Sequence, residues 1–390
     1  MQTFWHWYDV VLFWIGVGNV ALVAWVFSVF ARGGRRIRQL AEQPVFDGPL
    51  PKVSVVVPAR NEERNIEEAL KSLLAVDYDN MELLVVNDRS TDRTGEILDR
   101  LAATYPRLRV VHLTELPPGW LGKNHALQLG AERATGEWLL FTDADIVFEP
   151  TALRRAIGFA LERQLDHMAV APATHMPGWL LQAIVTTFCY LFSLFARPWD
   201  ASNPRSKSHI GIGAFNLVRT DVFRRVGGMQ PVAMRPDDDL KLGKLIKQSG
   251  YRQQFVNGRD MISVEWYPSI WDLVVGLEKN SFAVLEYSVP TVLLATGALL
   301  LTHVWPFVAL LVTWGATWRL NLIVALGLWF AAAWSAREIR IPMNRGLGFP
   351  LGVFLICFIN WRSMWLTLRQ QGIRWRDTHY GLAELRANRI

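Results

Sequence analysis

Apolar residues are distributed in two different ways along this chain. Over residues 53–143 they come in short bursts separated by polar stretches. VSVVVP (53–58), LLVVND (83–88), LRVVHL (108–113) and EWLLFTD (137–143) are each short and continuous enough to be buried strands. Between them, residues 63–74 place Ile66, Ala69, Leu70, Leu73 and Leu74 at helical spacing. Residues 90–103 open with cap residues and continue helically, and 123–134 read as a third helix. Short apolar strands alternating with helices predict a parallel sheet covered on both faces. Ligands of such sheets bind beyond the carboxyl ends of the strands.

Elsewhere the apolar runs are longer. Residues 8–30 hold one charge, Asp9; no Lys or Arg precedes them, and ARGGRRIRQL comes directly after. A cleaved signal peptide has the opposite polarity and a shorter core. The run therefore predicts an uncleaved anchor, with the next domain in the cytosol. QLAEQPVFDGPLPK (39–52) reads as a linker. Residues 288–314, 318–334 and 347–366 read as three transmembrane segments, the last punctuated by Gly346, Gly348, Pro350 and Gly352 and so open to a re-entrant form.

The stretch MPGWLLQAIVTTFCYLFSLFA (176–196) lacks any charge and is long enough to span a bilayer. Yet Gln182, Thr186, Tyr190 and Ser193 fall on one helical face, which becomes polar. Spanning would also separate Asp143 and Asp145 from the acidic run at 237–239. A helix over 179–196 lying in the membrane interface is expected instead. The positive-inside rule raises a conflict, because four full spans from an outside N-terminus leave the tail outside, yet residues 369–390 carry five Arg. The expected organisation is an anchor over 1–38, a catalytic α/β domain over 50–285, transmembrane segments over 286–368 and a basic tail over 369–390.

Composition fits this division. Of 390 residues 51% are hydrophobic and 19% charged, too apolar for a soluble enzyme and too charged for a pure membrane bundle. The net charge of +6 comes with Arg clusters beside apolar runs. That suits anionic lipid headgroups, and no basic stripe marks a nucleic-acid partner. Cys189 and Cys357 lie far apart in apolar stretches and read as buried small hydrophobes, not as a disulfide or metal cluster.

Four acidic or basic constellations could carry chemistry. Asp88 ends a buried strand, where it can accept hydrogen bonds from a nucleobase or ribose, or simply cap the next helix. In TDAD, Asp143 and Asp145 can share a hard divalent cation, Mg²⁺ or Mn²⁺, with a substrate's phosphates; a solvated turn is the bland reading. Asp237, Asp238 and Asp239 crowd a helix start, more acid than a cap needs, and one of them can serve as general base. In WLGKNHALQLG, Lys123 and Asn124 open a helix after a Pro-Pro-Gly turn, a place suited to diphosphate. His125 reads as structural. No P-loop, GxSxG, HExxH or CxxC pattern is present.

These motifs, in this order, resemble the family 2 glycosyltransferases, whose fold is the GT-A nucleotide-diphospho-sugar transferase fold. The resemblance covers roughly residues 50–285. It implies an α/β domain with a mixed, mainly parallel sheet, here joined to transmembrane helices. Pro58, Ala59, Asn61 and Glu62 match the family's Pro-Ala-x-Asn-Glu turn, and VVNDRSTDRT its nucleotide-contacting acids. Asn87 stands where the first acid is usual, which leaves the contact to Asp88. Lys123 matches the Gly-Lys-x-x-Ala segment and implies nucleotide contact. Asp143 and Asp145 match the metal-binding Asp-x-Asp, and Asp238–Asp239 the acidic pair in which Asp239 falls on the catalytic base. Where processive synthases carry Gln-x-x-Arg-Trp, this chain has GLEKN, with Lys279 for Arg and Asn280 for Trp. Lysine keeps the charge but loses the planar fork and the stacking platform.

The resemblance thus implies a membrane-bound inverting glycosyltransferase similar to the lipid, carotenoid or hopanoid-associated subset. It would move a sugar from a nucleotide-diphosphate donor to a hydroxyl or carboxyl of a lipid-like acceptor, at the cell (inner) membrane with the catalytic domain cytoplasmic. HIGIGAFNLVRTDVF (209–223), with Gly213, Phe215 and Asn216, is expected to form part of the acceptor wall, or else a tight β-turn. The competing readings are a processive polysaccharide synthase and a catalytically degenerate nucleotide-binding scaffold.

Overall fold

A computed structural model describes residues 2–390, with side chains from Asp9 onward. Eight strands form its main sheet: β1 (Arg38–Gln39), β2 (Val53–Ala59), β3 (Met81–Asp88), β4 (Leu108–Leu113), β5 (Trp138–Phe141), β6 (His167–Ala171), β7 (Asn216–Arg219) and β8 (Gln253–Asn257). Their order is β1-β8-β6-β7-β5-β2-β3-β4. Neighbours are parallel except β7, which runs antiparallel to both β5 and β6. This is the GT-A-like, mixed and mainly parallel α/β fold. The strands β3 and β5 are buried along their whole length, as strands covered on both faces must be. At the edge, β4 buries Leu108 and exposes Arg109 and His112.

Helices cover the faces as the spacing requires. Ile66–Leu74 buries the five residues picked out by its period, Ile66, Ala69, Leu70, Leu73 and Leu74. Thr94–Thr104 and Gly122–Arg133 come after β3 and β4. Register then sets the site. Ala59 pairs with Asn87 and Val56 with Phe141, so the turn after β2, Asp88 and the acids after β5 leave from adjacent strand ends.

By its contacts the chain forms two compact units. The α/β unit comprises Ile37–His175, Ala196–Trp266 and Gln371–Ile390. The apolar unit comprises residues through Arg36, Met176–Phe195 and Tyr267–Gln370. These groupings differ from the linear division expected from the sequence. The segment 267–285 joins the apolar helices, and the basic tail joins the α/β unit.

Five helices among the described residues are long and apolar enough to cross a membrane. One of them, Val289–Val312, is interrupted by a π-helical turn at Leu300–Val304. The polar face of helix Trp179–Ala196 does not point outward, as an interfacial helix would place it. Thr186 and Tyr190 are buried, Gln182 accepts from Arg345 Nε at 2.8 Å, and Tyr190 lies 3.5 Å from His303 Nε2. The exposed residues of that helix include Trp179, Leu180 and Phe195. Polar groups in an apolar setting pair with other helices because no water is there to satisfy them.

Candidate active site

The α/β unit gathers its acids at the carboxyl edge of the sheet, around one lysine. Lys123 sits in the first turn of helix Gly122–Arg133, and its Nζ lies 2.7 Å from Asp143 Oδ1. Asn124, beside it, is fully buried and donates to the carbonyls of Val232, Ala233 and Arg235. That bond set ties the helix start to the loop carrying the acidic run. Lys123, Asp143, Asp238, Asp239, Gly213 and Asn216 consequently line one cleft, floored by Leu127, Phe141 and Leu242. Burial opposes the Lys123 charge, but Asp143, Asp238 and Asp239 overcome it and hold the ammonium well above the ordinary lysine range.

The three consecutive aspartates have separate fates. Asp237 is locked to the buried Arg235 by two bonds, at 2.8 and 2.9 Å, and lies 3.8 Å from Lys241. It is a structural anchor. Asp238 and Asp239 begin the helix Asp238–Gln248 and face the cleft. Asp239 Oδ2 accepts the Gly213 amide at 2.8 Å, and Oδ1 its neighbour Leu240's amide at 2.7 Å. Burial raises its pKa, against the pull of Lys123 and these two amides.

The glycines 211 and 213 serve close approach of backbones. A Cβ on Gly211 would stand 1.8 Å from the Asp239 carbonyl oxygen, and one on Gly213 would stand 2.6 Å from Asp143 Oδ2. A buried chain of neutral groups fixes this segment from behind. Gln253 Nε2 donates to His167 Nδ1 at 2.8 Å and to the Gly243 carbonyl at 2.9 Å, while its Oε1 accepts from Ile210 N at 2.8 Å. His167 must then carry its proton on Nε2, which donates to Asn216 Oδ1. Burial lowers the His167 pKa to about 4, so the ring is neutral.

Asp88 lies at the other end of the same edge, at the end of β3, and is buried. Arg89 folds back on it, Nε to Oδ1 at 2.7 Å and Nη2 to Oδ2 at 3.2 Å, and Arg60 Nη1 stands 3.4 Å from Oδ2. Asn87, in place of an acid, pairs with His112 at 2.9 Å. Asn61 and Glu62 turn outward from β2 beside it. Glu62 is raised by burial and by nearby acids in spite of its bond to Arg376 at 2.5 Å.

The expected site residues therefore separate into groups. Asp88, Lys123, Asp143, Asp145, Asp238, Asp239 and Gly213 all lie at this edge. Pro58 and Ala59 are the last residues of β2, shaping the turn. Asn216 lines the cleft but commits its side chain to His167. Phe215 does not line an acceptor wall. It is fully buried in the core against Phe148, because strand alternation sends it to the opposite face from Asn216. Lys279 lies on helix Ile270–Val284 of the apolar unit, outside the site that the α/β unit builds by itself. Arg60, Arg89, His167, Gln253, Arg376 and Tyr380 belong to the neighbourhood and carry no motif.

A divalent cation would find suitable donors at Asp145 and Asp143. Burial, together with the charges of Asp143 and Glu62, raises Asp145 to about 7, a like-charge cost that a cation removes. No group of three or more His, Cys, Asp or Glu ligands occurs among the described residues, so the remaining oxygens would come from a bound phosphate and water.

Residues 54–227 match the family model described as Glycosyl transferase family 2. The probable glycosyltransferase YdaM of Bacillus subtilis (strain 168) is 40% identical over 227 residues, which is 57% of this chain and 52% of that protein. A beta-monoglucosyldiacylglycerol synthase of Synechocystis is 37% identical over 113 residues, 28% of this chain and 23% of the relative. The chain thus spans about half the length, or less, of these curated relatives. A solved mannosyltransferase from Pyrobaculum calidifontis, in complex with GDP-Man and Mn²⁺, aligns with a TM-score of 0.51 at 19% identity, covering 90% of this chain and 99% of that one. At that identity the likeness speaks for the fold.

Proposed function

We propose, from the premise that this chain belongs to glycosyl transferase family 2, that it moves a sugar from a nucleoside diphosphate donor to a lipid-like acceptor at a membrane surface. The observation that carries this reading is the convergence of Lys123, Asp143 and Asp239 on one cleft, at the same sheet edge as Asp88. Asp239 is the general base. Its raised pKa and its fixed orientation by two amides suit proton removal from an acceptor hydroxyl. The oxygen attacks the anomeric carbon as the bond to the diphosphate breaks, and the configuration inverts. Lys123 faces the charge that develops on the leaving diphosphate. Asp143 and Asp145 would hold a divalent cation, which supplies further neutralisation of that charge. Asp88 and the turn Pro58–Glu62 hold the nucleoside.

The acceptor reading rests on the apolar helices and on the lipid-synthesising relative. One-sided placement of the α/β unit has a topological consequence. Helix Trp179–Ala196 leaves and re-enters the α/β unit, and so does the segment 267–370. A folded unit on one side of a bilayer allows only an even number of crossings between its own segments. Helix Trp179–Ala196 then does not cross, and the three apolar helices after residue 285 do not all cross. With the tail on the catalytic side, the conflict over its five Arg disappears. We place that side in the cytosol, in accord with the basic residues that come after the first helix.

The test is transfer itself. Membranes holding the chain, given labelled UDP- and GDP-sugars, should yield a new glycolipid by mass spectrometry, with one or few sugars added. Long polymer would favour a synthase, and nucleotide binding without any product would favour the scaffold reading.

A further inference from the structure

The basic tail is a folded part of the α/β unit. Gly372–Trp375 and Thr378–Gly381 pair as an antiparallel hairpin. Asn388 anchors the end of the chain, donating to the Pro231 carbonyl at 2.8 Å and accepting from the Met234 amide at 3.0 Å. The hairpin tip reaches the turn after β2. Arg376 Nη2 lies 2.5 Å from Glu62 Oε1 and Nη1 donates to the Asn61 carbonyl at 3.3 Å, while Asp377 stands 3.5 Å from Arg60 Nη2. Further along, the Tyr380 hydroxyl accepts the Gly122 amide at 3.2 Å and faces the Arg89 side chain. Tyr380 is buried.

These contacts fall on strained backbone. Asn61 and Arg89 both adopt left-handed φ, +54° and +56°, at the ends of β2 and β3. Such conformations cost on the order of 1 kcal/mol in a non-glycine residue and persist where surroundings hold them. Arg376 holds the first turn through the Asn61 carbonyl, and Tyr380 faces the second while holding the Gly122 amide. Gly122, the third point touched, has no room for a side chain, since a Cβ there would stand 2.2 Å from Asp88 Oδ2.

We infer that this C-terminal hairpin is part of the donor site, with Arg376 and Tyr380 as positioning residues that preorganise the Asn61–Glu62 turn, Asp88–Arg89 and the Gly122 helix start for a nucleoside diphosphate. The inference rests on the proposed donor site and adds to it a segment, outside the matched family region, that sets donor affinity without touching the reacting atoms. Preorganised contacts lower the cost of ordering on binding.

The experiment uses the full chain in detergent, with UDP and GDP as probes. Wild type should bind at least one of them. Arg376→Ala and Tyr380→Phe should each weaken that binding about 3- to 10-fold. The donor KM should rise in parallel, kcat at saturating donor should stay unchanged, the melting temperature should fall by no more than a few degrees, and Arg376→Lys should restore part of the loss. The bound nucleotide should also slow tryptic cleavage after Arg374 and Arg376 in the wild type. Unchanged or tighter binding by both variants would overturn the inference while leaving the donor site intact. Binding of neither nucleotide by the wild type would overturn the donor site and the inference together.

Discussion

The two edges of the main sheet treat buried acids in opposite ways. At the amino edge, Glu82 in β3 accepts from Ser54 Oγ at 2.5 Å and from the amide and hydroxyl of Thr135 at 2.7 and 2.9 Å. Burial works to raise Glu82, yet these bonds bring it below the ordinary value. At the carboxyl edge, Asp145 and Asp239 are raised, because burial and neighbouring acids outweigh the donors they have. Both edges are made of carboxylates in a low-dielectric setting. They differ in satisfaction. Glu82, a lone acid met by neutral donors on one oxygen and by Arg109 and Lys52 on the other, is a fastener, whereas acids set beside one another around a single lysine hold uncompensated electrostatic energy that a substrate or cation can relieve.

Four substitutions or conditions should sharpen that contrast. Asp239→Asn keeps the shape and removes the base, and should lower transfer by about 10³-fold in an assay of the rate of glycolipid formation. Lys123→Met should cost roughly 10²-fold, read as kcat, since the charge on the leaving diphosphate loses its fixed partner. Glu82→Ala should leave kcat per folded molecule unchanged but destabilise the α/β unit by about 2–3 kcal/mol in urea unfolding, because Ser54 and Thr135 lose their acceptor. The neutral His167 gives a smaller effect with a defined sign. Its folded pKa of about 4 lies below the unfolded value near 6.5. The unfolded chain therefore takes up the proton first as pH falls. The contribution is whole above pH 6.5 and shrinks toward pH 4. Between pH 7 and 5 stability should drop by about 2 kcal/mol, and His167→Gln should flatten that slope.

Much of this is legible in the sequence for identifiable reasons. The strands and helices around the site come from short apolar bursts and strong period-3.6 patterns, and the helix Ile66–Leu74 buries the residues its spacing selects. Asp88, Lys123, Asp143, Asp145 and Asp239 are readable because each lies at a strand end or a helix start. Phe215 is misplaced by the sequence because a glycine-rich segment hides the phase of alternation; only the fold shows Phe215 in the core against Phe148 while Asn216 lines the cleft. The polar stripe of Trp179–Ala196 is real, but its direction is not readable, since periodicity gives a face and not its partner. The hairpin over 372–381 escapes sequence reading because two four-residue strands, GIRW and THYG, are too short to display a period. His167 and Gln253 act only through the fold that brings them together.

In the proposed reaction Asp239 performs proton transfer while the other end of the sheet edge, around Asp88, holds the nucleoside. Measuring UDP and GDP affinity and glycolipid formation side by side, for wild type and Asp239→Asn, tests it most directly. The expected result is nucleotide affinity within about twofold of wild type and transfer reduced by about 10³. Transfer by Asp239→Asn within about tenfold of wild type would contradict the claim.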